Sequence, residues 1–525
     1  MRALDLAWRA PLAERSTRWA LGLAALLHVI WATSMGLSPD EAHYALYGQH
    51  LAWSYYDHPP LVGWMQSLVL WVSDSDLALR WWPLALWWIT GSLLLSFNDM
   101  VFPWVKSCRW WGLRVDAWLW LGSVLPHLMG LAMVPDALLM PLTLALMHLV
   151  WRLALAQGSQ TSNWGLWLAL GLGLGLAGLS KYTAVLLALS VMLSLQLALG
   201  WSLWRNKGWG LALITAAMLV SVVFIWNAFN DWASFRYQLA HAKGAEQWHA
   251  WMALRYGLVL WLGFGFMWPL MKWAMPSSTP AAQGASRSTD APARVGGLSP
   301  ERLCGLFALP LLLVLLNASG RGSALPHWAV SAGVALLPWV SAVWARGAHA
   351  SHTRMRAAWG WGLVAQVLLM LVLAAVMSWG GMPAQTQAST ARAAGVREGM
   401  DAMNPVADLH GWQAAALHAA DLAKAQQLPG LAVTNWSLAS RLAWYARPWS
   451  VRVVDDHGDQ FNIWFGRFAP GDSVLWVDWS QLTHEPPQGP GRFATCRPLD
   501  RLDVVRWGRT LSHFHFYRCE NWQGS

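Results

Sequence analysis

Apolar stretches, each close to the roughly 20 residues that a helix needs to cross hydrocarbon, recur from residue 17 almost to residue 380. The pattern predicts about eleven spans, near 17–36, 79–98, 115–134, 137–156, 164–180, 183–203, 209–229, 251–274, 303–318, 327–345 and 357–379. After residue 380 charge content rises, apolar runs shorten and the period switches between helix and strand. Residues 411–427 have helical spacing, whereas 431–434, 451–454, 474–477 and the alternating stretch 512–517 read as strands. The predicted fold class is an α-helical polytopic membrane protein with a small C-terminal extracytoplasmic α/β domain. The membrane domain is expected at 1–380, with an outer loop at 37–78, and the α/β domain at 381–525. A polar, small-residue linker at 276–300, running from Pro276 through Gly296-Gly297, reads as a disordered cytoplasmic loop without chemistry.

Composition agrees with this division. The hydrophobic fraction is 56%, only 12% of residues are charged, and there are 43 Trp, an excess suited to rings lying at bilayer interfaces rather than to a soluble core. With the N-terminus inside, the cytoplasmic segments hold Arg2, Arg9, Arg15, Arg18, Lys106, Arg109, Arg114, Arg152, Arg205 and Lys207, with more beyond. The opposite short loops hold only Arg80, Lys181, Arg236, Lys243, Arg255 and Arg321, as the positive-inside rule requires. An odd number of spans then places residues after 380 outside the cytoplasm. The formal charge of +9 is accounted for by topology and anionic headgroups, and no nucleic-acid partner is expected. The first apolar segment lacks a convincing cleavage site and reads as a retained anchor.

Cys496 and Cys519 both fall in the outer domain, where oxidation is permitted. No Cys-x-x-Cys or Cys/His arrangement calls for structural zinc. A Gly-x-Gly-x-x-Gly match at Gly173, Gly175 and Gly178 lies inside an apolar span, where small residues serve close helix packing and no strand-to-helix turn exists to cradle a phosphate.

Polar motifs collect at the outer ends of the spans. They are Asp40-Glu41, the run Tyr55-Tyr56-Asp57-His58-Pro59-Pro60, Pro135-Asp136, Ser180-Lys181-Tyr182, Trp226-Asn227 through Trp232, and His327-Trp328. Carboxylates at a water–lipid boundary are expensive to keep without a use. Such groups suit a reaction between a lipid-borne anion and a polar acceptor.

Several of these motifs carry a family resemblance. Ser38-Pro39-Asp40-Glu41-Ala42-His43-Tyr44, the run at 55–60, Pro135-Asp136-Ala137, Leu179-Ser180-Lys181-Tyr182-Thr183 and Trp226-Asn227 resemble the bacterial branch of the protein mannosyltransferase and aminoarabinose transferase families, membrane glycosyltransferases of the GT-C fold. Leu325-Pro326-His327-Trp328, Asp408-Leu409-His410-Gly411-Trp412 and Gln460-Phe461-Asn462-Ile463-Trp464 extend the likeness over most of the chain. The resemblance implies a polyprenyl-phosphate sugar donor and transfer to a lipid, polysaccharide or protein acceptor at the outer face of a bacterial inner membrane.

Direct displacement at the sugar needs a base for the acceptor hydroxyl, and Asp40 is the first choice. Glu41, about 100° away around a helix, suits orienting a partner or binding a cation, while either acid could instead cap a short helix after Ser38-Pro39. Lys181 can stabilise the leaving phosphate, or snorkel to the interface. Arg236, Lys243, Arg255 and Arg321 are further phosphate candidates. Tyr55, Tyr56, Asp57, His58, Asp136, Tyr182, Asn227 and His327 are substrate-binding candidates. Asp136 could equally cap the following span, Asp57 and His58 could lock their loop, and His327 could be an interfacial belt residue. A divalent cation between Asp40, Asp136 and His58 is conceivable by ligand type, without a geometry. The competing reading is a transporter or flippase of polyprenyl-linked sugars. Transporters place ionisable groups near the bilayer midplane on repeated halves, and no internal repeat is evident.

Overall fold

A computed structural model describes residues 14–156, 163–243, 247–265, 294–349, 353–381, 404–454, 458–482 and 485–524. The chain divides into two compact units, one formed by Met1–His28, His58–Val62 and Arg80–Met370, the other by Val29–Asp57, Gly63–Leu79 and Leu371–Ser525.

The first unit is helical apart from one small hairpin, β1 Arg109–Trp110 antiparallel to β2 Leu113–Arg114. Among the described residues of the whole chain, seven helical stretches are long and apolar enough to cross a membrane: Asp76–Val101, Pro135–Leu155, Ala184–Arg205, Lys207–Phe229, Pro300–Gly320, Pro326–Arg346 and Gly360–Trp379. Shorter apolar helices cover Trp164–Ser180 and Ala250–Phe264. The predicted stretch 115–134 is not one span. It forms two short helices, Val115–Leu121 and Val124–Met129, with Gly122 ending the first and Ser123 preceding the second. Pro126 has no N–H to continue a ladder across that break. The predicted span 251–274 is helical as far as Phe264, and 266–274 lie outside the described residues.

Helix Trp164–Ser180 lies tightly against helix Lys207–Phe229. A Cβ at Gly171 would fall 2.5 Å from the Ala212 carbonyl oxygen, one at Gly175 2.4 Å from Leu219, and one at Gly178 2.6 Å from Val220. The glycines are therefore packing residues that let two backbones approach. Arg114, counted above among loop cations, is buried instead. It meets Asp116 at 2.7 Å and Asp99 at 2.8 Å, while Asn98 donates to Asp116 at 3.0 Å. Buried charge of this kind is tolerable only when so fully paired.

Of the linker expected at 276–300, residues 276–293 lie outside the described residues. Its C-terminal end is ordered, contrary to expectation: Val295 bridges Leu298, and the Ser299 side chain accepts from the Arg302 N–H to start helix Pro300–Gly320.

The second unit joins the first loop to the C-terminal domain. Its sheet has the order β4-β3-β5-β7-β6, where β3 is Leu431–Val433, β4 Val451–Val453, β5 Val474–Trp479, β6 Phe493–Arg506 and β7 Arg509–Trp522. β3 runs parallel to β4 and β5, and β7 is antiparallel to β5 and β6. Helices Trp412–Ala425 and Trp436–Tyr445 pack on it. Cys496 and Cys519 are directly opposed on β6 and β7 and form a disulfide. The loop read at 37–78 contains helices Pro39–Gln49, Leu61–Leu70 and Asp76–Leu79. Leu37, Ala42, Ala45, Leu46 and Leu79 sit in one buried cluster with Trp412, Ala415, Leu431, Leu442, Leu475 and Phe514. Burial of that apolar face holds helix Pro39–Gln49 against the C-terminal domain, since an 11-residue helix is marginal by itself.

Candidate active site

Ser38 caps helix Pro39–Gln49, with Pro39 at its first position. The Ser38 hydroxyl accepts from the Glu41 N–H at 3.3 Å, and the Glu41 carboxylate accepts from the Ser38 N–H at 3.0 Å. This closed capping box occupies Glu41, which is 4% exposed. Asp40, one residue earlier, is half-buried, and its carboxylate accepts no hydrogen bond among the described residues. It thus keeps its lone pairs for another group.

Arg441 faces the same region of the unit. Its guanidinium is fully buried, stacks 3.9 Å from the Trp412 ring centroid, and donates through Nη1 to the Asp408 carbonyl at 2.8 Å and to the Asp408 carboxylate. Nε and Nη2 are buried without a hydrogen-bond partner. Burial lowers the Arg441 pKa from its ordinary value, while Asp408, and after it Tyr445 and Asp40, pull the other way.

Asp57 accepts from the Tyr47 hydroxyl and lies 3.4 Å from His43 Nε2, while His43 Nδ1 meets Ser440 Oγ at 3.2 Å. Burial first, and then the Asp57 carboxylate, raise the Tyr47 pKa well above its usual value. The order Asp57, His43, Ser440 is that of a nucleophile relay. Ser440, however, is fully buried and its hydroxyl donates to the Trp436 carbonyl at 2.7 Å, so the chain of contacts ties helix Pro39–Gln49 to helix Trp436–Tyr445. Tyr55 is buried, stacked on Tyr47 with ring centroids 3.5 Å apart, and donates to the Tyr47 carbonyl at 2.7 Å. The Tyr56 N–H donates to Gln460 at 2.7 Å. These contacts fix the shape of the 55–57 loop around the half-exposed Tyr56 and Asp57 side chains.

In the helical unit, Asp136 occupies the second position of helix Pro135–Leu155. Lys181 Nζ donates to both of its oxygens, at 2.9 and 2.7 Å, and both residues are buried. His327 Nε2 lies 3.8 Å from Asp136, and the Lys181 ammonium sits 4.9 Å from the Trp328 ring centroid. Tyr256, whose hydroxyl donates to the Leu325 carbonyl at 3.2 Å, joins this group. Pro135-Asp136, Ser180-Lys181 and His327-Trp328 are thus brought together at three helix ends, with a cation held by a carboxylate and an aromatic face. Tyr182 is half-buried beside Phe235.

Other candidates stand apart from this cluster. Asn227 is buried, donating to the Val223 carbonyl at 3.0 Å and accepting from the Ser234 N–H at 3.1 Å, which fixes the turn at 230–232. Arg236 is exposed, and exposed Arg255 lies over the Trp251 ring at 5.3 Å. Arg321 is half-buried at the C-cap of helix Pro300–Gly320, and His58 is half-buried beside buried Pro59. Lys243 closes helix Ala233–Lys243. Among the described residues no group of three or more His, Cys, Asp or Glu side chains converges to hold a metal ion.

Arg441, Ser440, Gln460 and Tyr256 escaped the sequence reading as site residues. Gln460 and Asp408 lie within quoted motifs, but nothing local in sequence marks Arg441 or Tyr256.

No family model matches the chain. It is 25% identical over 323 residues to lipid A galacturonosyltransferase RgtD of Rhizobium johnstonii, a match covering 60% of this chain and 63% of that relative. The chain thus spans less than two thirds of the length of the curated relative it matches. Among solved structures it matches ArnT from Cupriavidus metallidurans in the apo state, with a TM-score of 0.53, 14% identity, and coverage of 96% of this chain and 98% of that one. With nearly all of both chains superposed, this is a multi-pass membrane protein that has the fold of ArnT, the GT-C type its loop motifs resemble.

Proposed function

We propose that the protein is an inverting glycosyltransferase that moves a sugar from a polyprenyl-phosphate donor to a lipid acceptor at the periplasmic face of a bacterial inner membrane. The observation that carries this reading is the Asp40 carboxylate, half-exposed at a rigid, capped helix start with no hydrogen-bond partner among the described residues. In the proposed reaction Asp40 takes the proton from the acceptor hydroxyl, whose oxygen bonds to the anomeric carbon as the bond from that carbon to the phosphate oxygen breaks. The polyprenyl phosphate leaves as an anion and needs positive charge rather than a proton. Lys181, already balanced between Asp136 and the Trp328 face, is the proposed source. The orientation rests on the distribution of basic residues. A lipid A acceptor is the first to test, because the curated relative is named for that substrate.

The test is transfer from labelled polyprenyl-phosphate sugars to lipid A or a crude outer-membrane extract, by purified protein in lipid. Asp40→Asn should lower turnover by about 10²–10⁴-fold with only a small change in melting temperature, because no hydrogen bond is lost and the Asp40 charge is the last of the attractions that offset Arg441 burial. Turnover preserved in Asp40→Asn would remove Asp40 as the base. Movement of intact donor between leaflets without transfer would replace the enzyme by a transporter.

A further inference from the structure

The end of the first helix, the end of the last apolar span and the turn of the β6–β7 hairpin converge in the second unit. Ser34, just past helix Arg15–Ala32, has its Oγ 2.6 Å from Ser378 Oγ in the last turn of the span Gly360–Trp379. Arg506, at the end of β6, donates through Nη2 to the Ser34 carbonyl at 2.7 Å, and His410 Nε2 donates to the Met377 carbonyl at 2.8 Å. A side chain at Gly380 would collide with Leu511 of β7. The hairpin is therefore pinned at the end of the last apolar span. Its turn carries Trp507, 76% exposed, and Trp379, the last residue of the span, is also exposed, as in an aromatic belt at a lipid interface.

Between these elements is a cavity of about 410 Å³, within the range of small-ligand sites. Its lining includes Ser34, Asp76, His410, Gln413, Tyr445 and Arg506. It contains neither Asp40 nor any residue of the 55–58 run. Arg506 Nε is buried without a hydrogen-bond partner, so this guanidinium is only partly used by the protein. Asp76 is the one carboxylate in the lining, and its Oδ2 accepts from the Tyr445 hydroxyl at 2.6 Å.

We propose that this cavity is a binding site for the headgroup of a zwitterionic phospholipid, with Arg506 taking the phosphate and Asp76 the ammonium. A guanidinium and a carboxylate lining one polar cavity match the two charges of a phosphoethanolamine. Trp507 and Trp379 then lie at the depth where the glycerol of such a lipid sits.

The experiment is native mass spectrometry of delipidated protein titrated with phosphatidylethanolamine or phosphatidylglycerol, with inorganic phosphate and glycerophosphoethanolamine as soluble competitors. One equivalent of phosphatidylethanolamine should be retained in preference. Arg506→Gln should weaken retention about tenfold or more, as expected for loss of a charge-assisted contact, and Arg506→Lys should recover part of it. Asp76→Asn should abolish the preference for ethanolamine over glycerol. Gln413→Trp, at an exposed position of the lining, should exclude both lipids. Equal retention by the wild type and all four variants would overturn the proposal. So would displacement of the lipid by inorganic phosphate alone, which would make this a soluble-anion site.

Discussion

Asp40 and Glu41 are adjacent carboxylates with different employment. Glu41 closes a capping box, so Glu41→Ala should lower stability by about 1 kcal/mol, whereas Glu41→Gln keeps both box hydrogen bonds. Thermal unfolding of the two variants in the same detergent tests this, and equal losses would show that charge, not capping, matters at 41. Lys181 and Asp136 present the converse problem, a buried pair that could be purely structural. Lys181→Ala strands a buried carboxylate and should cost about 3–5 kcal/mol. The double replacement Lys181→Met with Asp136→Leu should recover the melting temperature but not sugar transfer; recovery of both would make the pair a packing device. The loop carboxylates and Lys181 were legible because charge at a span end stands out against an apolar background. Arg441 was not, since its partner Asp408 lies 33 residues away and its stacking ring belongs to a different helix, and no local period encodes either contact.

At the scale of elements, apolar length located helices well and breaks poorly. Stretch 115–134 is apolar enough to span, yet Gly122, Ser123 and Pro126 divide it, because a missing N–H and a flexible residue outweigh hydropathy over so few turns. The short buried strands β3, β4 and β5 were readable from their apolar runs. β6 was not: it is an edge strand with a largely exposed face, and it accommodates Pro498 and several charges, which suppress the alternation that marks half-buried strands. The glycines of helix Trp164–Ser180 had the opposite legibility, their context alone separating them from a nucleotide loop. Gly175→Leu should drive that helix away from Leu219 and reduce the folded yield in detergent, while Gly165→Leu, which meets nothing within 4 Å, should not. Size-exclusion profiles of the two variants distinguish packing from mere loss of helix flexibility.

For the molecule as a whole, sidedness is the claim that basic residues support and helices alone do not. The Cys496–Cys519 disulfide offers a direct reading of it, because such bonds persist on the oxidising side of the membrane. In intact cells both thiols should resist alkylation until a reductant is added, and in spheroplasts a membrane-impermeant maleimide should then reach Cys496, the partly exposed member of the pair. Labelling without reduction would place the domain in the cytoplasm. The division into 1–380 and 381–525 follows a change in composition, and composition is blind to tertiary partners. The segment 37–78 was therefore assigned to the membrane domain, although the apolar face of helix Pro39–Gln49 shares a core with the C-terminal sheet.

That shared core also sets an order of events during synthesis. Residues 37–46 leave the ribosome early, but Trp412, Leu431, Leu475 and Phe514, which bury them, come in the last quarter of the chain. At roughly 5–20 residues per second the nascent loop waits for tens of seconds with its apolar face uncovered, while the helices between are threaded into the bilayer. The carboxylate proposed to do the chemistry is among the first parts translated and the last to be seated, so a chain cut short within its final strands would be inserted, anchored and inert.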